Sequence, residues 1–140
     1  MTPVIREASM LRGSCLCGTV RYEIRGPVSR MTHCHCAMCR KAHGAAFATY
    51  GRVERSDFAV VAGAEDIASY RSSPEVIRTF CKRCGSNLQF TSDKRPSTFA
   101  LALGTLDDDP GVEGSLHIFV ASKAPWFPIT DDLPQHAERG

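Results

Sequence analysis

The sequence predicts an all-β fold with small α content, and three observations carry that prediction. Short segments that alternate apolar and polar residues recur along the 140-residue chain, parted by Gly, Pro, Asp or Ser at intervals of about 8–12 residues. No segment sustains an apolar period of about 3.6 residues between recognisable caps, as an amphipathic helix would. Gly (11) and Pro (8), against 8% aromatic residues, favour turns and loops over one large core.

Taken in order, residues 19–24 (Thr-Val-Arg-Tyr-Glu-Ile) alternate as a half-buried strand does. Further strands are expected over 45–50, 58–61, 67–70, 76–80, 87–90, 99–103 and 117–120. One or two helical turns after Met38, through Arg40, Lys41 and Ala42, are stopped by Gly44. From Pro125 the chain is polar, Pro-rich and acidic at Asp131 and Asp132. It is expected to run over the surface, with Trp126 and Phe127 as its packing anchor.

The length suits a single domain, and 43% hydrophobic residues supply it with a core. A formal net charge of +2, with no basic run at either terminus, argues against a nucleic-acid partner. No apolar run approaches the roughly 20 residues needed to span a bilayer. The opening MTPVIREASML carries Arg6 and Glu7 and no apolar secretory core, so a reducing, cytoplasmic setting is expected. A small sheet-rich domain with an exposed tail could also form a homodimer.

Seven cysteines fall into three groups: Cys15-Leu-Cys17, Cys34-His-Cys36-Ala-Met-Cys39 and Cys81-Lys-Arg-Cys84. An odd number suits no simple disulfide framework. In a reducing compartment, clustered thiols point instead to a soft metal, with zinc the expected occupant. The C-x-x-C spacing also occurs in redox proteins, but those need a βαβ setting that is absent here.

In an extended strand, residues i and i+2 share a face, so Cys15 and Cys17 can converge on one ion, as can Cys34 and Cys36. The same alternation sends His33 and His35 to the other face, as packing or supporting residues. Cys81-Lys-Arg-Cys84-Gly85 has the form of a zinc knuckle, its glycine tolerating the tight turn. The outer pairs together offer four thiolates, which close a structural site, and the middle run offers three, which leave one position open. A clip joining residue 15 or 17 to 81 and 84 closes a loop of more than sixty residues, so the whole domain should depend on it. Seven thiolates and two zincs bring the formal charge from +2 to −1.

The run Gly13-Ser-Cys-Leu-Cys-Gly18-Thr-Val, then Cys34-His-Cys-Ala-Met-Cys-Arg-Lys41, then Arg78-Thr-Phe-Cys-Lys-Arg-Cys-Gly85 resembles the glutathione-dependent formaldehyde-activating enzyme family, which includes centromere protein V relatives. His117-Ile-Phe119 and Ser122-Lys-Ala-Pro-Trp126 resemble that family's C-terminal signature. The resemblance implies a tent-like arrangement of antiparallel sheets over residues 13–133, with an N-terminal extension at 1–12 and a tail at 134–140. It implies two Zn²⁺ sites: a structural one on Cys15, Cys17, Cys81 and Cys84, and a catalytic one on Cys34, Cys36 and Cys39. The implied activity is carbon–sulfur lyase chemistry, the condensation of glutathione with formaldehyde to S-hydroxymethylglutathione read in reverse.

The donor set agrees with that chemistry. A zinc held by three thiolates is electron-rich, poor at ionising water and better at holding an added thiol as thiolate. Arg40 or Lys41 is expected to receive a ligand carboxylate, and His43 to shuttle a proton. A polar turn at Arg71, Ser72 and Ser73 is a candidate cleft lining. The alternative is a non-catalytic zinc-stabilised binding module, in which the middle cluster is a second structural site.

Overall fold

A computed structural model describes residues 10–139. Residues 1–9, most of the expected N-terminal extension, lie outside the described residues. Among the described residues, ten strands form two sheets: β1 (Leu11–Ser14), β2 (Arg21–Ile24), β3 (Ser29–Cys34), β4 (Ala48–Glu54), β5 (Phe58–Ala62), β6 (Ile67–Ser73), β7 (Val76–Cys81), β8 (Asn87–Ser92), β9 (Thr98–Ala102) and β10 (Leu116–Ile118). One helix, α1 (Ala37–His43), interrupts them. The smaller sheet has the order β1-β2-β5, and the larger β10-β3-β4-β9-β8-β7-β6.

The alternation in residues 21–24 has the expected consequence. Tyr22 and Ile24 are buried while Arg21 is exposed. They pack with Val20, Val53, Leu88, Phe99 and Leu101 in one core. Gly13 is required there, because a side chain at that position would collide with the Tyr22 ring. The Tyr22 hydroxyl in turn meets Thr105 Oγ1 at 2.6 Å, and burial raises its pKa to about 12.

The pairing is antiparallel except at one edge, where β10 runs parallel to β3. The antiparallel sheets that were expected are thus present, with one parallel pair added at that edge. The long connection from β9 to β10 lets the chain re-enter the sheet from the same end as β3, which a tight hairpin could not do. Residues 134–138 continue the edge. His117 N–H donates to Pro134 O at 2.9 Å, and Phe119 N–H donates to Glu138 O at 2.8 Å. The tail's side-chain anchor is Phe127, whose ring lies 5.5 Å from Phe47. Trp126, expected to share that role, is 68% exposed.

Strands β1 and β3 were not expected. The sequence of β1, Leu-Arg-Gly-Ser, is short and carries a glycine. In β3, Arg30 sits at a φ of 47° and the register shifts between Ser29 and Thr32. A bulge of that kind breaks the two-residue period that reveals strands. The predicted 99–103 and 117–120 segments end early, because Leu103–Thr105 and Val120–Ser122 wind into single 3₁₀ turns.

Candidate metal centres and the cleft between them and solvent

Each cysteine is placed by the end of an element. β1 leads into the loop that carries Cys15 and Cys17, and β7 ends at Cys81, whose turn brings Cys84 round. Gly85, at a φ of 83°, closes that turn by donating its N–H to Cys81 O at 2.8 Å. The four Sγ atoms all lie within 4.8 Å of one another, with Cys15–Cys17 at 3.6 Å and Cys17–Cys81 at 3.9 Å. A tetrahedral zinc with Zn–S of about 2.3 Å needs sulfurs about 3.8 Å apart, so this set fits the ion.

The surrounding donors fit as well. Val20 N–H points at Cys15 Sγ (3.3 Å) and Arg83 N–H at Cys81 Sγ (3.4 Å). Hydrogen bonds from Ser86, side chain first and then backbone, lower the Cys84 thiol to about 5. N–H and O–H groups aimed at sulfur are the supports that thiolate ligands need.

The second cluster is built where β3 passes into α1. Cys34 ends the strand, and Cys36 caps the helix, its sulfur accepting from Cys39 N–H at 3.3 Å. The helix begins as expected and stops at Gly44, in the left-handed conformation with φ 59°. These constraints gather the sulfurs of Cys34, Cys36 and Cys39 within 4.8 Å, with Cys34 and Cys39 buried and Cys36 half-buried. Hydrogen bonding from Cys34 and Cys39 lowers the Cys36 thiol, while bonding to Cys36 raises Cys34. Three crowded sulfurs thus ionise unequally by themselves, whereas a divalent cation would deprotonate all three.

Arg78 supplies a further sign of fit. It is 6% exposed, and no carboxylate pairs with it among the described residues. Its Nη2 donates to Cys39 Sγ at 3.6 Å and its Nη1 to Tyr50 Oη at 3.0 Å, while its plane lies over Phe90 at 5.0 Å. A buried guanidinium needs a counter-charge. Three thiolates around a divalent ion carry a net −1 and provide it.

These sulfurs open onto a cavity of about 270 Å³, lined near the cluster by Thr32, Met38, Tyr50, Arg78, Phe90 and Ile118. Ser72 and Ser73 line it further along, as the polar turn suggested, whereas Arg71 turns away and donates to Pro74 O at 2.8 Å. Arg40 and Lys41, expected beside the ligand, do not line this cavity. Lys41 is exposed, and Arg40 is half-buried with its Nε lacking a hydrogen-bond partner.

His43 also lies off the cavity wall, but its Nε2 is 3.1 Å from Tyr50 Oη, and Tyr50 Oη is 3.9 Å from Cys39 Sγ. Tyr50 and Arg78 are the residues that the sequence reading missed. The available signal was polar residues at positions of β4 and β7 that alternation turns inward.

On the other face of β3, as its alternation requires, His33 and His35 pack with Phe47, Phe127 and His117. His117 Nε2–H donates to Asp131 at 3.0 Å, so its Nδ1 accepts from His35 Nε2–H at 2.8 Å. That assignment leaves His35 Nδ1 unprotonated, and it is the ring atom without a partner. Burial lowers the His35 pKa to about 4, so the ring stays neutral. No helix among the described residues is long and apolar enough to cross a membrane.

Fold and site together define a small, mostly β domain with two thiolate clusters that could each hold a metal, one of four cysteines and one of three beside a cavity. Residues 10–122 match the family model described as glutathione-dependent formaldehyde-activating enzyme. The chain belongs to that family, a family of carbon–sulfur lyase enzymes. A provisionally named glutathione-dependent formaldehyde-activating enzyme of Halomonas elongata is 29% identical over 127 residues, covering 86% of this chain and 81% of the relative. An uncharacterized lyase of Schizosaccharomyces pombe is 30% identical over 86 residues, 60% of this chain and 61% of its own. A crystal structure of a Rhodobacter sphaeroides protein superposes with a TM-score of 0.59 at 25% identity, covering 70% of this chain and 89% of that one.

Proposed function

We propose that this chain joins a thiol, glutathione, to formaldehyde and cleaves the same adduct in reverse, at the cluster of Cys34, Cys36 and Cys39, with zinc at both clusters. The observation that carries this reading is the open three-sulfur set facing a cavity, beside a closed four-sulfur set. Zinc bound by three thiolates would supply a fourth position suited to a thiol sulfur.

The chain's own groups do the rest. Arg78 holds Cys39 Sγ and Tyr50 Oη in fixed relation, and its charge favours a second anionic sulfur nearby. In the condensation, the sulfur lone pair forms a bond to the carbonyl carbon while the C=O π pair moves to oxygen. Tyr50 Oη gives that oxygen a proton, and the proton lost by the thiol restores the phenol by way of His43 Nε2. The reverse passage cleaves the carbon–sulfur bond, with no net change in protons. Burial raises the Tyr50 pKa, so the phenol stays protonated at neutral pH and can donate.

X-ray absorption at the zinc edge tests the assignment. Two zincs with three and four cysteine ligands average about 3.5 sulfurs each, and glutathione should raise that to about 4. An unchanged sulfur count on adding glutathione would contradict thiol capture at the open site. A single zinc per chain would contradict the two-site reading.

A further inference from the structure

Behind the three-cysteine cluster, on the opposite face of β3, runs a chain of polar groups that the proposed chemistry does not use. Asp131 accepts from His117 Nε2–H at 3.0 Å, and His117 Nδ1 accepts from His35 Nε2–H at 2.8 Å. The two rings are 2% and 0% exposed and lie against Phe47. An apolar ring in place of His35 would fill that space without leaving a buried Nδ1 unpaired, so burial alone does not account for a histidine there. A carboxylate only accepts, so Asp131 sets the direction of the whole chain and the tautomer of both rings. His33 has no such constraint: its two nitrogens meet the hydroxyls of Thr49 and Ser115, which can donate or accept.

The consequence lies in where His35 stands. It separates Cys34, which ends β3, from Cys36, whose backbone is extended. In such backbone a side chain held on one face holds its two neighbours on the other. His35 N–H donates to Ile118 O at 3.0 Å, and Cys36 caps the helix that carries Cys39. At the far end, the tail grips His117 through Pro134 O and His136 N–H, both at 2.9 Å. Tail, rings and sulfurs are one connected structure.

Resting on the reading that a metal occupies the three cysteines, we infer that Asp131 and His117, acting through His35, hold the sulfurs of Cys34 and Cys36 in their metal-binding arrangement. His35 and Asp131 are then positioning residues for that site, although neither lines the cavity.

Chelator competition on the zinc-loaded full chain tests this, comparing wild type with Asp131→Asn, His35→Phe and His35→Gln. An asparagine can present a donor as readily as an acceptor, so it no longer fixes the direction of the chain. Asp131→Asn and His35→Phe should weaken zinc at the three-cysteine site by about tenfold and leave the four-cysteine step unchanged. His35→Gln, whose amide can donate to His117 Nδ1 as Nε2–H does, should hold zinc nearly as well as wild type. A role in packing alone predicts the reverse order, since Phe fills the space of the ring and Gln does not. With cobalt in place of zinc, part of the d–d absorption should shift in His35→Phe and keep its wild-type position in His35→Gln.

Equal three-cysteine affinity in wild type and Asp131→Asn, equal losses at both sites, or Phe outperforming Gln at position 35 would overturn the inference. Failure of the two-zinc reading looks different, because wild type itself would then carry one zinc. In that protein the amide exchange of His35 and Cys36 decides: faster exchange in Asp131→Asn supports the inference, and unchanged exchange overturns it. Should either His35 variant not fold, Asp131→Asn, at a side chain 46% exposed, carries the same comparison.

Discussion

Three groups meet at Tyr50 Oη: Arg78 Nη1 donates to it, His43 Nε2 lies within hydrogen-bond reach, and Cys39 Sγ is 3.9 Å away. Removing only that oxygen in Tyr50→Phe should lower the rate of adduct formation by about 10²–10⁴-fold, as expected for loss of a positioned proton donor. The fold should lose only about 1 kcal/mol, and thermal melting beside steady-state rates checks both. His43→Gln should lower the rate less, since Tyr50 would remain in place.

On the opposite face, hydrogen bonding from His117 holds the Asp131 carboxyl below the usual carboxylate range. A depressed folded value means that this contact contributes fully above the unfolded pKa and is lost as pH falls through the folded one. The tail should therefore loosen in acid, below a pH of about 4. Amide exchange of residues 134–138 should show that loosening in the native chain, and Asp131→Asn should show faster exchange already at neutral pH.

At the scale of elements, the two clusters differ in what they hold together. Cys15 and Cys17 follow the first strand, Cys81 ends the seventh and Cys84 follows it, so the four-cysteine set ties distant parts of the chain. Cys81→Ser should abolish the cooperative melting transition, because it leaves the long loop unclosed and a buried ligand set incomplete. Cys36→Ser alters a set confined to one strand-to-helix junction and should stay within about 2 kcal/mol of wild type while losing activity. Circular dichroism melts of the two variants decide the matter, and loss of folding in both would favour the binding-module alternative.

The same locality explains what could be read from the chain. Cysteine spacing is set by covalent geometry over two or three residues, so both clusters were legible, and Gly44 ended the helix where expected. Alternation revealed β2 and seven of the later strands. It failed for β3, where the bulge near Arg30 interrupts the period, and for β1, which its pairing with β2 stabilises more than its own residues do. Arg78 on β7 reaches Tyr50 on β4 across the two intervening strands β8 and β9, a juxtaposition that no local pattern encodes. Arg40 and Lys41, adjacent to Cys39 in sequence, were carried off the cavity by the turn of the helix.

For the whole molecule, zinc at both clusters would contribute to stability, because the four-cysteine set joins segments distant in sequence. Prolonged chelation should first remove the ion held by three cysteines beside the cavity, with activity lost and the fold retained. Removal of the second ion should then unfold the domain, and circular dichroism recorded alongside released zinc should give two separable steps.

The most direct test of the central claim is the rate of exchange between glutathione plus formaldehyde and S-hydroxymethylglutathione, measured by NMR magnetisation transfer with zinc-loaded protein. The account predicts a rate that rises in proportion to protein concentration and returns to the uncatalysed value in Cys36→Ser. Exchange no faster than the uncatalysed reaction, or acceleration that survives in folded Cys36→Ser, would contradict it.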